Sequence, residues 1–300
     1  MKNLKKLKIC VIGIGKVGSA LTLELMEKGF NVRYLISNNK TILRKFIKTN
    51  PRVSYSDHLE KSYLNQSDII IISVQDKYVP DLILKLKNTS LNLSKKYIFH
   101  TSGFLSSNVF MNIKISKKRI GSFHPVQTFN KTSYRNTNLF RGIYCGIEAG
   151  IELRKLLIFI TKSIDSNYVL VPQKDKPIYH FACAYSSNYL VTYLAVLDKL
   201  LSGTSIKPVK NFKIFLPIVK QTLMNLEHFG FAESLTGPFE RKDFSVIEGH
   251  LRYLKENLQE MIPLYLYFGK SAISLSSQHN YYSKSEMAEL EKIFDKYSKY

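Results

Sequence analysis

Lys8-Ile9-Cys10-Val11-Ile12-Gly13-Ile14-Gly15-Lys16-Val17-Gly18 decides how this chain of 300 residues is read. Lys8 to Ile12 is a short, β-favouring apolar run and predicts a strand. Val17, Ala20, Leu21, Leu25 and Met26 recur at helical spacing and stop at Gly29, which predicts a helix. Between them stands G-x-G-x-x-G, in the strand–turn–helix context that gives the motif its mechanism. Gly13 permits a tight turn, Gly15 lets backbone approach a diphosphate, and Gly18 lets the helix pack close to the strand. With Ile14, Lys16 and Val17 they present the first helical N–H groups to an anion.

Outward from this stretch, strand and helix signals alternate. Val32 to Ile36, Ile69 to Val74, Tyr97 to His100, Ile120 to His124, Gly142 to Ile147 and Tyr168 to Val171 read as strands. Ile69 to Val74 is apolar almost throughout, as expected of a strand buried on both faces of a parallel sheet. The pattern predicts a doubly wound α/β domain of the Rossmann type over residues 1–171. After Pro172 helical segments dominate: Ile178 to Leu201, Val209 to Phe229, Phe244 to Asn257 and Met261 to Ser277. A last helix begins at Ser283, with Ser283 and Glu286 as a capping box. Residues 172–300 are thus expected to form an all-α domain.

The end of the second strand bears on the cofactor. An NAD site usually has Asp or Glu there for the ribose 2′-hydroxyl. This chain has Ser37-Asn38-Asn39-Lys40, with Arg44 beyond, which favours NADP over NAD. Val74 and Gln75, at the end of another strand, are expected beside the cofactor. Asp76 either joins them or caps the next helix.

Composition narrows the rest. The net charge of +21 is spread along the chain without interleaved aromatics, which points to a lysine-rich surface rather than a nucleic-acid interface. No apolar stretch is long enough for a membrane helix, and the basic N-terminus is not expected to be a signal peptide. Three cysteines at scattered spacings fit reduced thiols in a cytoplasm, and no Cys/His spacing suggests a metal site.

Three polar clusters are candidates for chemistry. His100-Thr101-Ser102-Gly103 and His124-Pro125-Val126-Gln127 each follow a strand; either histidine is a proton donor or a structural group bonded to backbone. The third cluster runs from His180 to Asn188 within a helix. At about 100° per residue, Ser187 stands above His180 and Asn188 is turned by about 80°.

These residues resemble a family that pairs a Rossmann-like domain with a C-terminal domain of unknown function, in the group with a 6-phosphogluconate-dehydrogenase-like helical domain. The matching stretches are Gly13 to Gly18, His100 to Gly103, Gly121 to Phe129, Gly146 to Glu148, Ser187 to Leu190, and Leu235 to Pro238 with Arg241 and Asp243. The resemblance implies an NADP-dependent oxidoreductase, a homodimer built on the helical domains, and no settled substrate. The group includes ketopantoate and pyrroline-5-carboxylate reductases. Ketopantoate reductases carry a helix with a catalytic Lys and Asn four and eight residues later. Laid on this chain, His180 takes the Lys position, Ala184 the first Asn and Asn188 the second. The expectation is a reductase of a small keto or imino acid. His180 or His124 donates the proton, Asn188 and Ser102 orient the substrate, and Ser187, Thr236 and Arg241 help bind it. The alternative, prompted by the missing lysine, is a non-catalytic NADP(H)-binding or redox-sensing protein.

Overall fold

Four consecutive isoleucines form the centre of the sheet as β4 (Ile69–Ile72), and all four are buried. Strand side chains alternate between faces. Ile69 and Ile71 join one core with Val11, Leu35 and Phe99, while Ile70 and Ile72 join the opposite core with Cys10, Ile36 and Ile98. A strand apolar at every position can satisfy both faces only inside a sheet covered on both sides.

The computed structural model describes residues 4–49, 52–89, 91–130, 138–201, 204, 206, 211–276 and 282–300. The other strands are β1 (Ile9–Ile12), β2 (Val32–Ile36), β3 (Ser54–Ser56), β5 (Tyr97–His100), β6 (Ile120–Pro125), β7 (Tyr144–Ala149) and β8 (Asn167–Leu170). Their order is β3-β2-β1-β4-β5-β6-β7-β8. From β3 to β6 every pairing is parallel, whereas β6 and β7 are antiparallel and β8 runs parallel to β7. Helices α1 (Lys16–Glu27), α2 (Lys40–Thr49) and α5 (Ile151–Ser163) cover the first core. Helices α3 (Lys61–Gln66) and α4 (Val79–Lys87) cover the second. This is the expected doubly wound sheet, with β7 turned back against β6.

Parallel strands bring their C-terminal ends to one edge. Backbone bonds at that edge tie Gly13 to Ile36, Ser73 to Ile12 and Thr101 to Ile72 at 2.7–3.0 Å. The loops leaving β1, β2, β4 and β5 are thereby held side by side.

The helical part departs from expectation in three places. First, helix α6 (Lys176–Ala184) starts with Pro177 in its first turn, where a missing N–H costs nothing. A π-helical turn, Tyr185–Tyr189, then separates it from α7 (Leu190–Leu201). Second, α8 (Leu216–Ser234) likewise begins beside a proline, Pro217, and its backbone leaves helical geometry at Gly230, just after the expected end. Third, Val209 and Ser277, expected helix ends, lie outside the described residues. Helices α9 (Phe244–Asn257), α10 (Ile262–Ser276) and α11 (Lys284–Tyr297) share a core of Ile247, Leu251, Ile262, Leu290 and Phe294. The capping box at Ser283 and Glu286 is formed in both directions.

The chain divides into two compact units, Met1–Tyr189 and Leu190–Tyr300. Strand gives way to helix near Pro172, yet α6 belongs to the first unit, because its Lys176 is 2% exposed and bonded to the sheet. Among the described residues no helix is long and apolar enough to cross a membrane.

Candidate active site

The loop after β1 folds as its glycines require. Gly13 has φ +96°, and a Cβ there would lie 2.5 Å from the Ser73 carbonyl oxygen. A Cβ on Gly18 would meet the Gly13 carbonyl oxygen at 2.0 Å, so α1 can approach β1 only with glycine at that position. Gly15 faces open space and is the N-cap of α1, with no capping side chain and no acid in the first turn. Three independent features therefore fit an anionic diphosphate: an uncovered helix start, a bare backbone and no competing carboxylate.

This loop lines one end of a cleft of about 1250 Å³ within the first unit. The cleft gathers Gly13, Ile14, Gly15, Lys16, Val17, Ser37, Asn38, Val74, Gln75, Ser102, His124 and His180. Gly18 packs beneath it. Lys40 stands beside it and is held 3.2 Å from Asp57, a cleft residue that follows β3. The carboxylate absent from the end of β2 thus arrives from the neighbouring strand. No spacing within β2 could have disclosed it, since β3 is only three residues long and polar.

The other end of the cleft is built around Gly103. A Cβ there would lie 2.9 Å from Cε1 and Nε2 of His124 and 2.9 Å from Cδ2 of His180. The imidazole centroids are 6.2 Å apart. Two histidines distant in sequence thus close on the Gly103 backbone, at a notch in the cleft wall too tight for any L side chain. His124 Nδ1 is 2.9 Å from the hydroxyl of Tyr179, on α6. Burial, then the charge of Lys176 and then His180, lower the pKa of His124 to about 4.

His100 has the structural role. It is fully buried, its Nδ1 accepts from the Ser102 N–H, and its Nε2 is 3.3 Å from the Ser106 carbonyl. Burial, reinforced by Lys176, lowers its pKa to about 3. Ser102 is also committed within the fold. Its hydroxyl donates to Asp76 at 2.7 Å and accepts from the N–H groups of Phe104 and Leu105. Asp76 therefore caps no helix with its side chain; it lines the cleft beside Val74 and Gln75, with one carboxylate oxygen bonded to Ser102.

Lys176 was missed by sequence reasoning. Its Nζ donates to the Ser102 carbonyl at 3.1 Å and to Ser122 Oγ at 2.6 Å. Burial lowers its pKa to about 8, opposed by Glu148 and Asp76. A lysine between Asp175 and a proline carries no local mark of burial. Only the docking of α6 reveals it. It stands one helical turn before His180 but is buried behind the cleft and is not part of its lining.

The remaining candidates lie outside the cleft lining. Ser187 and Asn188 fall in the π-turn, where about 4.4 residues rather than 3.6 make a turn, so the angles drawn from His180 no longer hold. Ser187 donates to the Cys183 carbonyl and Asn188 is exposed. Thr236 and Arg241 belong to the second unit. There Asp243 caps α9 by accepting from the Val246 N–H.

With this geometry in hand, comparison with known proteins is informative. Residues 8–97 match the family described as NADP oxidoreductase coenzyme F420-dependent, and residues 143–272 match a domain of unknown function, DUF2520. The chain thus pairs a Rossmann-like stretch similar to that oxidoreductase family with a stretch similar to this domain of unknown function. A candidate NADP oxidoreductase of Bacteroides fragilis shares 23% identity over 90% of this chain and 99% of its own, with a TM-score of 0.69. A Thermotoga maritima protein shares 19% over 91% and 100%, with a TM-score of 0.71. A Plasmodium falciparum pyrroline carboxylate reductase, solved with NADP bound, shares 14% over 91% and 98%, with a TM-score of 0.57. These likenesses concern the fold. No curated protein matches the sequence.

The two buried histidines predict acid lability. Their pKa values fall from 6.5 to about 3 for His100 and about 4 for His124. Below pH 6.5 the unfolded chain therefore binds protons that the folded chain refuses. Stability is complete above 6.5 and is lost as pH falls towards 4, by about 1.4 kcal/mol per pH unit for each histidine. Thermal melts should show a lower Tm at pH 5 than at pH 7, with a smaller drop in His124→Gln. An equal Tm at both pH values in the wild type would contradict neutral burial.

Proposed function

We propose that this protein is an NADP(H)-dependent reductase of a small carboxylated keto or imino compound, acting at the Gly103 notch. The observation that carries this reading is that two imidazoles converge on a glycine in the same cleft as the diphosphate loop.

The residues around the cleft divide the work. First-turn N–H groups of α1, with Gly13 and Gly15, hold the diphosphate. Ser37, Asn38 and Lys40 receive the adenosine end, and Val74 and Gln75 flank the path towards Gly103. The nicotinamide supplies hydride when bound. As a carbonyl or imine carbon is reduced, negative charge gathers on its heteroatom. An imidazole N–H beside the notch stabilises that charge, and a proton completes the product. Ser102 supports this arrangement by fixing the loop rather than by touching substrate.

The choice of NADP rests on Lys40. It now faces Asp57, and a 2′-phosphate offers it a dianion instead. Free thiols at Cys10, Cys145 and Cys183 support a reducing, cytoplasmic setting. A homodimer is supported by α8, which buries no side chain while exposing Ile218, Leu223, Met224, Phe229 and Phe231. So much apolar surface on one helix suits a second copy of the chain. Thr236, Arg241, Ser187 and Asn188 remain assigned to the substrate side on resemblance alone.

Three measurements test these statements. Gly103→Ala should lower turnover of the best keto- or imino-acid substrate by at least about a hundredfold, since the added methyl forces both imidazoles from their positions. NADPH affinity should stay within about threefold; unchanged turnover would refute the notch. By calorimetry, Lys40→Ala should weaken NADPH binding about tenfold and NADH binding little, as for loss of one charge-assisted bond. Equal losses would remove the case for NADP. Light scattering on the purified chain should give twice 34.6 kDa, and a monomer at micromolar concentration would refute the dimer.

A further inference from the structure

The reductase reading leaves open which histidine yields the proton, and a hydroxyl outside the notch bears on the answer. Tyr179 lies on α6, one residue before His180, with its hydroxyl 2.9 Å from His124 Nδ1. That hydroxyl is pressed onto β7: a Cβ on Gly146 would lie 2.2 Å from it, so the strand must carry glycine there. The Gly146 backbone and the Cys183 side chain stand close enough to act on it. Burial raises the phenol pKa, so the hydroxyl keeps its proton.

One proton is therefore available for two neighbours. Imidazole nitrogen is a strong acceptor, whereas thiol sulfur is a weak acceptor and a weak donor. The stronger arrangement has Tyr179 donating to Nδ1 of His124 rather than to the Cys183 sulfur. A neutral imidazole that accepts at Nδ1 must carry its hydrogen on Nε2. Nε2, together with Cε1, forms the ring edge that borders the notch at Gly103.

We infer that Tyr179 is a positioning residue that locks His124 in the Nε2–H tautomer, making His124 a fixed hydrogen-bond donor to the reacting carbonyl or imine and leaving proton delivery to His180. The inference rests on the reductase reading for its chemistry, whereas the tautomer rests on the 2.9 Å contact and on imidazole being the stronger acceptor. In the reaction, hydride from reduced nicotinamide forms the new C–H bond and the C=O or C=N π pair moves onto the heteroatom. The Nε2–H of His124 stabilises that charge without leaving the ring. His180, across the notch, transfers its proton to the heteroatom and recovers one from solvent through the open cleft. His124 remains neutral throughout, as its burial beside the Lys176 ammonium favours.

The test uses the full chain labelled with 15N-histidine at pH 7, with His124→Gln to assign the signal. Two-bond proton–nitrogen correlations should show wild-type His124 as a single Nε2–H tautomer. Tyr179→Phe keeps the ring but removes the hydroxyl. It should give a mixture of tautomers and lower kcat about a hundredfold with KM little changed. Cys183→Ala should leave the single tautomer in place. An Nδ1–H signal in the wild type, or an unaltered tautomer in Tyr179→Phe, overturns the inference. If Tyr179→Phe does not fold, the wild-type spectrum still decides. Absence of turnover on every keto and imino acid would sink the reductase reading while leaving the tautomer result intact.

Discussion

An ammonium group taken out of water is costly unless its protons find acceptors, and Lys176 meets that demand at two points of the sheet edge. One bond reaches the loop after β5 and the other reaches β6. Together they moor the start of α6 against the C-terminal ends of the strands. One turn along that helix come Tyr179 and His180, whose placement over Gly146 and Gly103 follows from this mooring. The site is thus less a property of its histidines than of a cation that never touches the cleft.

The same cation sets the electrical character of the region. Its charge disfavours a second positive charge nearby, and both His100 and His124 are held neutral by burial with Lys176 as the next contributor. The two rings then diverge in role because of their partners. His100 is closed off between two backbone groups, whereas His124 has a phenol behind it and open cleft in front. Facing that cation, Asp76 and Glu148 each accept from a serine hydroxyl and favour its charged form against the cost of burial.

Much of the first unit was legible in the sequence because its signals are local. A glycine motif between a strand and a helix, and four isoleucines in a row, admit few structures. The glycine loop and the gathering of Ser37, Val74 and Gln75 beside it in one cleft followed directly. What escaped were relations made by packing. Lys176 and Tyr179 look like ordinary residues at the start of a helix until α6 docks. Asp57 enters the cleft from a strand too short to announce itself. The angular argument for Asn188 failed because it assumed an unbroken α-helix, and nothing in Tyr185-Ser186-Ser187-Asn188-Tyr189 marks a wider turn.

Gly103 imposes a lasting restriction. Because both imidazoles crowd its Cα, the floor of the notch offers no position from which selection could remodel specificity. Any change in the compounds accepted must come from the walls and the mouth, where side chains differ without displacing the rings. On the reading proposed above, the chemistry and the choice of substrate are therefore written on separate residues and are free to diverge at different rates.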